Sequence, residues 1–132
     1  MSFQGDESTQ KTLKEAYKAV AETKFGHKIT EELESSEHEY IFRGLRKGIN
    51  QTCYDDTEYS FYIDIDNDHS SCVYQGKNKA CAMKPTLLSV LLAHEMGHAK
   101  GMKDDGTDSM ANVDKYENPF RKELGLPARM KY

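Results

Sequence analysis

The chain is poor in cysteine, and none of its three cysteines forms a close Cys-x-x-Cys pair, which argues against a cysteine-built zinc site. The odd count, Cys53, Cys72 and Cys81, points to free thiols, with a Cys72–Cys81 disulfide as the alternative. No apolar run reaches the length of a membrane span, so no membrane partner is expected. The start, "MSFQGDESTQ", lacks the basic-then-apolar layout of a secretory signal. The expectation is a cytoplasmic chain, or one that leaves the cell by a route needing no such signal. Positive charge is not in excess either. The net charge is −4 and the lysines and arginines are scattered, which argues against a nucleic-acid partner. Internal repeats and low-complexity tracts are absent. What remains is 37% hydrophobic and 30% charged residues over 132 positions, which fits one folded domain spanning 1–132 with a modest core.

Asp6 to Phe25 reads as a first helix, with Ser8 or Thr9 as cap and Gly26 at its end. Leu13, Ala16, Tyr17 and Val20 recur at helical spacing. Ile29 to Glu39 suggests a second helix capped by Thr30. Tyr40 to Leu45 and Tyr59 to Ile65 read as strands of a small antiparallel sheet. "YSFYIDID" alternates, with Phe61, Ile63 and Ile65 on one face and Tyr62 and Asp64 on the other. Lys84–Pro85 opens a further helix over Thr86 to Lys100, stopped by Gly101. Its "LLSVLLA" is apolar on nearly every side, so this helix should be central and buried. A loop, "KDDGTDS", follows, and Asp114 to Leu124 reads as a last helix. The class is α+β.

"DIDNDHSSC" offers Asp64, Asp66 and Asp68 at the opening spacing of a calcium loop. His69 stands where that loop needs glycine, and Gln75 where it needs glutamate. A strand end running into an acidic turn is the reading kept.

"LLAHEMGHAKGMKDD" sets two histidines and a glutamate, His94, Glu95 and His98, in an otherwise apolar helix. A metal site, a capped core helix and coincidence compete. On a helix, residues i and i+4 share a face, so both imidazoles can reach one ion. Glu95, displaced around the helix, can take a proton from the attacking water. Burying three ionisable groups costs free energy unless they are paired or hold a metal, which favours a zinc site over the other two readings.

A catalytic zinc needs a third protein ligand. Asp104 completes His-Glu-x-x-His-x-x-Gly-x-x-Asp, a variant of the metzincin pattern, with Met110 in the place of its methionine turn. Glu117, on the last helix, is the gluzincin alternative.

The tail, "YENPFRKELGLPARMKY", together with "LLAHEMGHAKG" and Gly106–Thr107, resembles the NleD-like effector metallopeptidases. The same domain forms the toxic ends of Rhs-type polymorphic toxins. The tail fills Glu-Asn-x-x-Arg-x-Glu-x-Gly-Leu-Pro-x-Arg-x-x-Tyr at every position, whereas residues 1–70 match nothing specific. The resemblance implies a minimal zincin with a central metal-binding helix and a C-terminal helix closing the site. It implies zinc-dependent hydrolysis of a protein substrate in a host or target cell, by a monomer delivered without a classical signal. His94 and His98 would be ligands, Glu95 the base and Glu117 the third ligand. The loop after His98 is shorter than the family often has, so Asp104 stays as the alternative. Arg129 and Tyr132 would form an Arg-x-x-Tyr pair near the oxyanion, as in the clostridial neurotoxin proteases; a packed, salt-bridged C-terminus is the other reading. A reading of another class, a metal-binding interaction module without proteolysis, also stands.

Overall fold

The computed structural model describes residues 1–44, 50–55, 60–66, 68–100 and 110–131. The chain is α+β. A short strand, β1 (Ser2–Gln4), leads into two helices, α1 (Glu7–Ala21) and α2 (Lys24–Glu34). Asp6 caps α1 by accepting the Thr9 N–H at 2.8 Å, so Thr9 is the capped residue and not the cap. Thr23 caps α2 through the Gly26 N–H, where Thr30 had been expected. Gly26 therefore lies inside α2 and does not end α1. A Cβ there would stand 1.9 Å from the Val20 carbonyl oxygen, so only glycine lets α2 start this close to the end of α1. The second helix starts and ends earlier than Ile29 to Glu39 because Thr23 is the better-placed cap.

Four strands form the main sheet, in the order β1, β2 (Glu39–Arg43), β4 (Ser60–Asp64), β3 (Gln51–Asp55). β2 lies parallel to both β1 and β4, while β3 pairs antiparallel with β4. The expected antiparallel pairing of the two recognised strands is thus corrected. A third strand intervenes: the chain leaves β2, reverses into β3 and returns along β4 in the direction of β2. β3, "QTCYD", has no apolar alternation that would mark it in advance. Ile63 and Ile65 are fully buried, as their alternation predicts. Asp64 on the other face is also fully buried, clamped by Arg43 at 2.8 and 2.9 Å and by Gln51 at 2.8 Å. Beyond β4 the chain turns as the acidic stretch suggests, with Asp66 Oδ1 accepting the Asp68 N–H.

β5 (Ser70–Val73) and β6 (Ala82–Pro85) make a separate antiparallel pair. Lys84 and Pro85 belong to β6 and not to a first helical turn. The Thr86 N–H, bonded to the His69 carbonyl, extends that ladder and delays the helix. Cys72 and Cys81 are joined by a disulfide with their Cα atoms 5.3 Å apart, leaving Cys53 as the free, exposed thiol. The expectation of three free thiols is corrected here. The odd count leaves one cysteine over, and the β5–β6 hairpin brings the other two within bridging range. The C-terminal segment adds a further rung to β5, through a Val73–Arg129 bridge and the Met130 N–H on the Cys72 carbonyl.

α3 (Leu88–Ala99) is the central helix, with every residue from Val90 to Gly97 buried. It packs on α1 and α2, on β3 and β4, and on a π-helical turn, Val113–Glu117, that runs into α4 (Asn118–Glu123). The last helix is therefore not one uniform α-helix. Pro119 has no N–H to give to the residue four back, and the Asn118 N–H bonds Val113 O, five back. Leu92, Met96, Phe42, Ile63, Leu13 and Phe120 form the middle of the core. Among the described residues, no helix is long and apolar enough to cross a membrane. Asp104, Gly101, the Gly106–Thr107 pair, Leu45, Tyr59 and Tyr132 lie outside the described residues.

Candidate metal centre

α3 presents His94 and His98 one turn apart, with their rings 4.9 Å centroid to centroid and nearly perpendicular. The ligating atoms of His94, Glu95 and His98 all lie within 4.8 Å of one another. His94 and Glu95 are buried, and His98 is partly exposed, so the cluster opens toward solvent on the His98 side. Two imidazoles that converge beside a carboxylate are the donor set of a borderline cation, and the residues present fit such a group.

Two other segments hold this cluster, the residues about the π turn and β3. From the π turn, Glu117 meets Nδ1 of His94 at 2.9 Å. On a metal-binding histidine such a contact leaves the other nitrogen, here Nε2, to ligate. Glu117 is itself fully buried between two guanidiniums, with Arg121 Nε donating to Oε2 at 2.7 Å and Arg129 donating to Oε1 at 3.0 Å. Burial pushes its carboxyl up, but the His94 hydrogen bond and the charges of Arg129 and Arg121 outweigh it and hold it at about 2. Asn112, also fully buried, donates to the His94 carbonyl at 2.9 Å. Gly97 makes this approach possible: a Cβ there would stand 2.2 Å from Asn112 Oδ1 and 2.8 Å from the Tyr116 ring.

From β3, the Thr52 hydroxyl lies 2.8 Å from Glu95 Oε2 and 2.9 Å from the Glu95 carbonyl oxygen. Just before β5, His69 bonds Thr86 Oγ1 through Nδ1 at 2.9 Å. Burial, then the positive charge of Arg129, lowers the pKa of His69.

The structure thus brings together His94, Glu95 and His98, with Glu117 and Arg129 directly behind His94. Glu117 bonds Nδ1 of His94 and is outside the three-residue cluster. Arg129 is buried against Glu117, and its Nε donates to the Lys131 carbonyl at 2.9 Å, as in the packed-terminus reading. Asp104 and Tyr132 fall outside the described residues. Thr52 and Asn112 carry no sequence signal for this site; His69 drew notice only as a misfit in a calcium loop. Comparison with known proteins returns no match, whether among family models, curated proteins or solved structures.

Proposed function

We propose that the chain is a zinc-dependent endopeptidase in which His94 and His98 hold the ion and Glu95 serves as the base. The observation that carries this reading is the convergence of two imidazoles and one carboxylate on one turn of a central helix. A zinc ion held there would supply Lewis acidity toward the scissile carbonyl and lower the pKa of a water. Glu95 accepts the proton of the attacking water and returns it to the leaving amine. β3 supports a peptide as the substrate: among the described residues it is an edge strand of the sheet, and it lies beside Glu95, where an extended segment can pair along it. Action as an effector or toxin on a protein of a target cell rests on the family resemblance of the tail.

The third protein ligand has two readings. Glu117 would have to leave Nδ1 of His94 to reach the ion. Its engagement by His94, Arg121 and Arg129 favours the second reading, in which Asp104 ligates and Glu117 holds His94 in place.

Metal analysis of the purified chain, paired with a cleavage screen in cell lysate, tests the function. About one zinc per chain is expected. The His94→Ala, His98→Ala double variant should lose it. Glu95→Gln should keep zinc and lose cleavage. Full zinc occupancy in the double variant would end the site assignment, and unchanged cleavage by Glu95→Gln would leave a metal-binding module in its place.

A further inference from the structure

Glu95 is near enough to both histidines to be a ligand itself, and something must keep it a base. We infer that Thr52 is the positioning residue that does so. This rests on the zinc reading above.

The geometry starts from β3. Thr52 pairs with Ile63 of β4, and Ile63 is fully buried. Side chains directly opposite in a sheet share a face, so Thr52 points toward α3. There its hydroxyl reaches both ends of one residue, the Glu95 carbonyl oxygen at 2.9 Å and the carboxylate Oε2 at 2.8 Å. A hydroxyl has one proton, and both neighbours are acceptors, so it is shared between them. The result ties Oε2 to Glu95's own backbone. The torsions between the two ends are thereby restricted, and one carboxylate oxygen is held at the strand.

Without that tie, a glutamate next to two metal-binding imidazoles has an obvious alternative. Its carboxylate lies within 4.8 Å of the ligating nitrogens, a span that a change of rotamer can close. An anion beside a dication is drawn onto it. Thr52 therefore decides whether the carboxylate stands beside the ion or on it. It also connects the catalytic helix to the edge strand, so strand position and base position are set together.

Cobalt(II) alone is the probe, added to the metal-free protein, because its visible bands report coordination without any substrate. Thr52→Val keeps the shape and removes the hydroxyl; Thr52→Ser restores it. The expected result is a shift of the bands in Thr52→Val, wild-type bands in Thr52→Ser, and no such shift when Glu95→Gln is combined with Thr52→Val. Bands in Thr52→Val identical to wild type would overturn the inference. So would failure of both Thr52→Val and Thr52→Ala to fold while Thr52→Ser folds, since Thr52 would then be structural. A wild-type chain that takes up no cobalt marks a different failure, that of the metal site itself, and removes the ground for a role of Thr52 at it.

Discussion

Glu117 places one negative charge among two guanidiniums and an imidazole in the interior, and each of these groups depends on it. Glu117→Ala removes the carboxylate that the buried Arg121 and Arg129 share, at a cost of about 3–5 kcal/mol. Urea unfolding should register that loss. Glu117→Gln keeps the shape and can still accept from Nδ1 of His94. If the charge of Glu117 raises the basicity of His94, the glutamine variant, which keeps the hydrogen bond and loses the charge, should bind zinc about 10–100-fold more weakly than wild type. Chelator competition measures this, with Asp104→Ala alongside. A far larger loss in Glu117→Gln than in Asp104→Ala would make Glu117 a direct ligand. At this scale the sequence was legible wherever partners are close in the chain. His94, Glu95 and His98 fall on one helical turn, so their convergence follows from spacing alone. Thr52 reaches Glu95 across 43 positions, and its place depends on the register of a strand that sequence alone did not mark.

α3 was readable as an element because a run that is apolar on every side has nowhere to go but the centre. The elements around it were less so. Gly97 reads in sequence as a weak point in a helix, yet it is the contact surface for Asn112 and Tyr116. The π turn follows from Pro119, whose effect on the preceding residues depends on whether the helix breaks, kinks or widens. The β5–β6 hairpin went unread because its strands are short, so the Cys72–Cys81 disulfide stood only as the alternative to free thiols. That hairpin bears on the site through one short path: Cys72 accepts the Met130 N–H, and the neighbouring Arg129 reaches Glu117. Replacing Cys72 and Cys81 by serine should cost about 2–3 kcal/mol, the loop being short. Thermal unfolding with and without dithiothreitol checks it: the reductant should lower the Tm of wild type and leave that of the serine variant unchanged. The result also bears on where the chain works, because a reducing cytosol would open the bridge.

For the molecule as a whole, an ion shared between α3 and the residues after it would favour the folded state over the unfolded one. Zinc at a hundredfold excess over its Kd would contribute about 2.7 kcal/mol. Chelation should therefore lower the Tm, and an unchanged melting curve in a verified metal-free sample would show that the ion does not stabilise the fold. The α+β class was legible from the order of helical and alternating segments, while the strand directions were not, since direction depends on how many strands intervene.

Those directions govern how fast the chain can organise itself. Ser2 meets Ile41, and Glu39 meets Ser60, side by side and running the same way. Neither pairing can begin as a tight hairpin; of the main sheet's pairings only that of β3 with β4 can close locally. For β1 to find β2, both α1 and α2 must first be laid between them, and the entropy of closing that loop is lost before any contact repays it. Refolding should accordingly be limited by this crossover. Changes that stiffen α1 or α2 would speed it, and the His94–Glu95–His98 cluster, whose helix packs on α1 and α2, would mature no earlier than the crossover does.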